Sequence, residues 1–395
     1  MDKPLNSQKP EPRVVDYDTL RKNTPFTWSV GSTVMSLIKL AGLTYRNYFL
    51  DFDENVRMYK EGEEKLAKLF DGFPMPNMIT PSISYGHVNC LGAELIFPEN
   101  GEVGIKHLCS TVKEGIELLK SKRGVDFSKE GMFPFYAEFS EKLKAAFPGR
   151  SVWFGFGVEG PLTTSYELLG DRIFTEIYDE PELCAEFLDL LTDSINDYSA
   201  ALRRLDGDKP FPDDTAYLAD DIASMIPDSL WPEFVLPFWE KYYRFRTSGK
   251  RNIHIEGLLP NQLKFLEEAR IERYDPSIST MLTPAIIEKT CKVPFMWRIG
   301  SFHFPQMSKK DTADFVYLAA ADGANNVHTY IADDTLDPET VEKITIFRDT
   351  AQKVQKLLSG GMPRTELRKF TGYSDSAEYW DNWRGYKGKP QFKKG

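Results

Sequence analysis

Near the end of the chain four stretches follow one another: VPFMWRIGS (293–301), KKDTADFVYLAAADG (309–323), NNVHTYIADD (325–334) and PETVEKITIFRDTAQKVQKLL (338–358). The first and third are short, rich in β-branched and aromatic residues, and end in polar residues. The second and fourth carry apolar residues at helical spacing. Strand, loop, helix, strand, helix is the signature of parallel strands joined by crossover helices.

The same rhythm extends back along the chain. PNMITPSIS (76–84) and SVWFGFGV (151–158) read as strands. TAYLADD (215–221) precedes PDSLWPEFVLPFWEKYYRF, RNIHIEG (251–257) precedes PNQLKFLEEA, and RIERYDP (270–276) precedes TPAIIEKTC. These are seven units, and an eighth is expected between residues 85 and 150. Seven or eight units point to an α/β fold built as a single (β/α)8 TIM-type barrel. Residues 1–73 read as an N-terminal arm and helices packed on the barrel, 74–358 as the barrel and 359–395 as a C-terminal tail. The tail's bland interpretation is partial order, and its sharper one an aromatic flap or oligomer contact. Pro181 to Leu202 places Leu183, Phe187, Leu191, Ile195, Tyr198 and Leu202 on one helix face. An open dinucleotide fold is disfavoured: Gly155–Gly160 has GxGxxG spacing, but Pro161 follows and the acidic partner is missing.

Composition limits the function. In 395 residues there are 49 Lys+Arg against 59 Asp+Glu, a net charge of −10, which argues against nucleic-acid binding. No apolar run approaches the length of a membrane span, and the polar start lacks a signal-peptide core. Cys90, Cys109, Cys184 and Cys291 are scattered without CxxC spacing, as expected of reduced, buried thiols in a cytoplasmic protein.

Barrel chemistry gathers at the carboxyl ends of strands. The polar residues expected there are Tyr85, His87, Glu159, Asp220, Asp221, His254, Glu256, Asp275, Arg298, His303, His328, Asp333 and Asp334. His254 and Glu256 stand two apart on a strand, so both face the barrel mouth. An imidazole beside a carboxylate can work as an acid/base couple, can bind a divalent metal with His328 as third ligand, or can merely satisfy a hydrogen bond. Of the adjacent Asp220 and Asp221 only one enters the cavity, and either can instead cap a helix. Arg298 suits a carboxylate or phosphate clamp, or an ordinary ion pair. Trp297 and Tyr330 add aromatic surface at strand ends. Asn252-x-His254-x-x-Gly257 comes near the DxHxxG motif of corrinoid-carrying domains, but the rest of that domain's pattern is missing.

Several segments together resemble the uroporphyrinogen decarboxylase superfamily. VEGPLTTSYELLGDRIFTEIYDEPELCAEFLDLLTDSINDY (158–198) is similar to its Gly-Pro-(Phe/Leu)-Thr segment and following helix. YLADDIASMIPDSLWPEFVLPFWEKYY (217–243), YGHVNCLGAELIFPENG (85–101) and TYIADDTLDPETVEKI (329–344) resemble further segments in the right order, from about residue 50 to 358. The resemblance implies a (β/α)8 barrel with extra N-terminal helices, and an enzyme. The superfamily's decarboxylases carry an Arg- and Gln-rich signature that does not occur in this sequence. Its corrinoid-linked methyltransferases carry His-x-Cys and a later Cys on zinc. The matching positions look like His254-Ile255-Glu256, with His328 or Thr329 near the last ligand.

Glu in place of a thiolate favours a harder site suited to an oxygen ligand. The resemblance therefore implies transfer of a methyl group from a small O-methyl donor, such as an aryl methyl ether, to the cobalt of a corrinoid (cobalamin) on a separate partner protein. His254, Glu256 and Asp221 are the expected catalytic residues, with Glu256 able to serve as the general acid even without a metal. His254, Glu256 and His328 would hold a possible zinc, and Tyr85, Glu159, Asp220, Asp275, Arg298, Trp297 and Tyr330 would contact substrate. A second copy of the chain is a further conceivable partner. Rival expectations are a decarboxylase or lyase of a polycarboxylate, a thiol methyltransferase with an altered zinc site, and a scaffold barrel.

Overall fold

In a computed structural model the described residues are 14–207 and 209–382. Eight strands are assigned: β1 (Thr27–Ser32), β2 (Leu95–Ile96), β3 (Gly104–Ile105), β4 (Asp213–Ala219), β5 (Thr247–His254), β6 (Arg273–Asp275), β7 (Met296–Ile299) and β8 (Asn326–Ile331). β1, β8 and β7 form one parallel sheet, and β4, β5 and β6 another. A parallel bridge between Tyr274 and Phe295 links the two. Residues 78–83 and 153–156 run parallel through the bridges Ile79–Trp153 and Ile83–Phe156. β2 and β3 make a small antiparallel hairpin.

The α/β class with parallel strands and crossover helices is as expected, but the strands do not close into one hydrogen-bonded sheet. A closed eight-stranded barrel is therefore not formed among the described residues. Two local readings also change. No parallel strand lies between residues 85 and 150, which hold helices and the β2–β3 hairpin. The additional parallel strand is instead β1, inside the stretch read as arm and helices.

β1 was hidden because its sequence, TWSVGS, contains a glycine and little aliphatic bulk. A Cβ on Gly31 would sit 2.7 Å from the Tyr330 ring, so the glycine serves close packing against β8. The partner strand is about 300 residues away in the chain, so nothing local announces the pairing.

The helices follow their sequence signals. Pro181–Asp206 starts with proline, where a missing N–H costs nothing, and ends at Gly207 in the left-handed conformation. It buries Phe187, Leu191, Ile195 and Tyr198 completely. Pro338–Ser359 is capped by Asp337, which accepts from Thr340 N. All four cysteines are free and buried. Among the described residues no helix is long and apolar enough to cross a membrane.

The described part of the tail is packed rather than loose. Trp380 Nε1 donates to Asp322 Oδ2 at 2.6 Å, the Tyr379 hydroxyl donates to Asp311 O, and both rings are buried. The final residues of the expected flap lie outside the described residues.

Candidate functional site

β4, β5 and β6 end side by side, with Ala219, His254 and Asp275 in register. This register gathers an imidazole and three carboxylates. His254 Nδ1 lies 3.3 Å from Asp275 Oδ2. Its Nε2 lies 3.8 Å from both Asp221 Oδ1 and Glu256 Oε1. Asp221 also accepts from Glu256 N at 2.8 Å, which fixes the turn beyond β5. Burial alone would depress the His254 pKa. The hydrogen bond to Asp275 and the charges of Asp275, Asp221 and Glu256 outweigh it, so the value is raised. Burial pushes Asp275 upward, but His254, the charge of His328 and the Ser277 N–H pull it down to about 2. The imidazole is thus the proton holder and Asp275 the fixed anion behind it.

Asp275 is oriented by a residue that the sequence reading missed. Ser277 N donates to Asp275 Oδ1 at 2.9 Å, and Arg298 Nη1 donates to Ser277 Oγ at 3.0 Å. Ser277 is buried with φ +47°, a conformation that costs a non-glycine residue on the order of 1–3 kcal/mol. Asp-Pro-Ser is itself a turn signal that could have drawn attention to it. Tyr217, also missed, stands one inward step below Ala219 and is 53% exposed.

β7 and β8 supply a different group. The Arg298 guanidinium lies over the Tyr330 ring, 5.0 Å from its centroid, and the His328 ring meets Tyr330 edge-on. His328 is 2% exposed and its Nδ1 has no hydrogen-bond partner. Burial lowers its pKa to about 4; Asp275 opposes this, while Arg298 and Arg273 reinforce it.

Other expected residues divide clearly. Glu159 is largely buried beside Ser84, and burial raises its pKa, with Asp221 adding to the effect. Glu167, buried behind it, is raised further by burial and by Glu159 and Asp220. Tyr85 borders a cavity of about 230 Å³ together with Tyr45, Tyr48, Ser84 and Glu102.

Asp220 is not a substrate contact: it is fully buried and accepts from Thr163 N at 2.7 Å and Trp239 Nε1 at 2.7 Å. It anchors the start of helix Pro161–Leu169, remote in sequence, rather than the helix that follows it. Burial pushes its pKa to about 7 in spite of those donors. A Cβ on Gly160 would lie 2.6 Å from Asp220, which explains the glycine before Pro161. Trp297 also leaves the substrate list. It alternates with Arg298, so it faces the opposite side, where it is buried edge-on against Trp380.

His87 is buried on helix Gly86–Leu91, bonded to Ser194 and packed against Phe127 and Tyr198. His303 is buried and accepts from Gly300 N. Burial drops both to about 3. Asp333 and Asp334 are tied to Tyr45 and Ser301.

The expected zinc set does not assemble. Among the described residues no three His, Cys, Asp or Glu side chains are grouped so as to hold a metal ion. His254 turns Nδ1 to Asp275, whereas His328 is sealed beneath Tyr330.

The model of the family "Uroporphyrinogen decarboxylase (URO-D)" matches residues 36–278, more than half of the chain. The chain belongs to the uroporphyrinogen decarboxylase family. Among solved structures it is similar to a methyltransferase from Methanosarcina mazei. The TM-score is 0.60 at 14% identity, covering 86% of this chain and 97% of that one. At that identity the likeness concerns the fold. No curated protein matches.

Proposed function

We propose that this chain is a methyltransferase that takes a methyl group from a small O-methyl donor and passes it to the cobalt of a corrinoid on a separate protein. The observation that carries the reading is the Asp275–His254 pair with Asp221 and Glu256 on the far side of the imidazole. Membership of the family and the methyltransferase title of the structural neighbour lend it support.

Breaking a methyl–oxygen bond leaves an alkoxide or phenoxide, which departs far more easily as the neutral alcohol. In a cluster of one imidazole and three carboxylates the imidazole is the most basic group, so His254 is the one that carries the proton. It is offered from Nε2, because Nδ1 is turned to Asp275. The methyl group goes to the acceptor with the electron pair of the acceptor, the C–O pair stays on oxygen, and the His254 proton neutralises that oxygen. Such general acid catalysis contributes roughly 10²–10⁴-fold. Glu256 then serves to keep the imidazole charged rather than as the acid itself. Reduced corrinoid supplies the nucleophile for the methyl group, and no step here uses a metal bound by this chain.

The cavity beside Tyr85, Tyr45 and Tyr48 suits the body of an aryl donor. A polycarboxylate decarboxylase is less favoured. Such a reading calls for several arginines around the site, and among the described residues Arg298, which donates to Ser277 and lies over Tyr330, is the one beside the imidazole cluster.

The test is incubation with chemically reduced free cobalamin and a panel of O-, N- and S-methyl donors. Loss of reduced-cobalamin absorbance with an aryl methyl ether is expected. No reaction with any donor contradicts the reading, and reaction only with N- or S-methyl donors contradicts the oxygen chemistry.

A further inference from the structure

The opposite end of the sheets holds a second polar cavity, of about 400 Å³. It is lined by Lys250 and Asn252 within β5 and, at or just before the starts of β6 and β8, by Glu272, Arg273, Asn325 and Asn326, among others. Its volume falls in the usual range for small-ligand sites. Register places its charged groups on the same inward faces as the upper site. Lys250 precedes His254 by four residues on β5, and Arg273 precedes Asp275 by two on β6. At about 3.3 Å per residue the Lys250 backbone lies roughly 13 Å below that of His254, while Asn252 and Arg273 lie one inward step below His254 and Asp275, so the cavity runs from the floor up to the underside of the upper site.

In barrels of parallel strands, inward faces that serve only stability are filled by branched aliphatic side chains. Here Thr27, Thr215, Lys250 and Arg273 face inward and remain exposed. Among the described residues neither the Lys250 nor the Arg273 side chain makes a hydrogen bond or an ion pair, although the Arg273 charge is felt by Tyr217, His328 and Tyr330. The lining contains one carboxylate, Glu272, which is buried and already engaged. Two further groups await partners: Asn325 Oδ1 and Asn326 Oδ1 are buried acceptors without a hydrogen bond, although each Nδ2 is used. An orphaned buried acceptor is costly unless a donor reaches it.

From these features we infer that the cavity is a binding site for a small hydroxylated oxyanion. The phosphate or carboxylate head would lie between Lys250 and Arg273, and its hydroxyl groups would donate to Asn325 and Asn326. Arg273 suits either head group through its planar fork, and Lys250 adds a point charge. Binding here does not rest on the proposed methyl transfer and is read without any methyl donor or corrinoid.

Calorimetric titration of the full chain with glycerol 3-phosphate, malate, inorganic phosphate and glycerol tests the inference. Saturable one-to-one binding of glycerol 3-phosphate or malate is expected, and whichever binds identifies the head group. Inorganic phosphate should bind more weakly and glycerol not at all, and affinity should fall as salt rises. Arg273→Gln and Lys250→Gln should each weaken binding at least tenfold without moving the melting temperature, because neither side chain has a partner to lose. Arg298→Gln, altered at the other end, should leave it unchanged. Absence of saturable binding by both hydroxylated anions overturns the inference. So does binding that survives both floor substitutions, or binding that Arg298→Gln abolishes.

Discussion

His254 ends β5 and His328 lies in the middle of β8, both on inward faces, and their surroundings shift their pKa values in opposite directions. His254, on the β4–β5–β6 sheet, is ringed by Asp275, Asp221 and Glu256, and its pKa rises. His328, on the β1–β8–β7 sheet, is sealed against Tyr330 and near Arg298, and its pKa falls to about 4. Half of the site is therefore a partly open acidic cup around a cation, and the other half a dry aromatic wall beside an arginine. An inward-facing histidine is a reactive group only where neighbouring strands bring carboxylates to it. The sequence pattern counts the two alike, which is why it grouped them as ligands of one metal.

The largest effect should come from His254→Gln. Removal of the proton holder should lower kcat for methyl transfer by about 10²–10³-fold, with the circular dichroism spectrum unchanged. A rate within threefold of wild type would remove His254 from the chemistry. Asp275→Asn comes next. Without the anion behind it, burial dominates and the His254 pKa falls. The activity limb on the alkaline side should move to lower pH, with kcat down roughly tenfold at neutral pH. A reduced rate with an unmoved pH profile would mean that Asp275 only positions the loop.

On the dry wall the expected changes concern stability. Gly31→Ala forces a Cβ into the Tyr330 ring and should cost about 1–3 kcal/mol in denaturant unfolding. No loss would show that Tyr330 moves freely. The smallest effect, His328→Leu, sharpens the contrast through its pH dependence. A histidine whose folded pKa is about 4 contributes its full stability above 6.5 and loses it as pH falls toward 4. The variant should match wild type within about 1 kcal/mol at pH 7.5 and gain about 2 kcal/mol relative to it at pH 5. For His254 the sign is reversed: its contribution is full below 6.5 and is lost as pH rises through its raised folded value.

The parallel strand–helix rhythm was legible because β4 to β8 are short apolar runs bounded by turn residues and followed by helical spacing. β1 was not, because Gly31 is explained only by a tyrosine far along the chain. At the site, His254 and Glu256 were legible from their two-residue spacing, and Asp221 from its place after β4. The part played by Asp220 was not, since it caps the remote helix at Pro161 and lies under Trp239. The alternation that put Arg298 inward also turns Trp297 outward. That much followed from strand geometry, but its partner, Trp380, lies in a tail that carried no packing signal. Ser277 shows the same limit: its hydroxyl matters because Arg298 reaches it across strands.

The central claim is the split between the two histidines. A titration of the histidine ring signals by nuclear magnetic resonance, with His254→Gln and His328→Leu used for assignment, tests it directly. The account predicts that the His254 signal titrates above 6.5 and that the His328 signal stays that of a neutral ring down to about pH 4–5. Titration of His254 at or below 6.5, or of both rings together near 6.5, would contradict it.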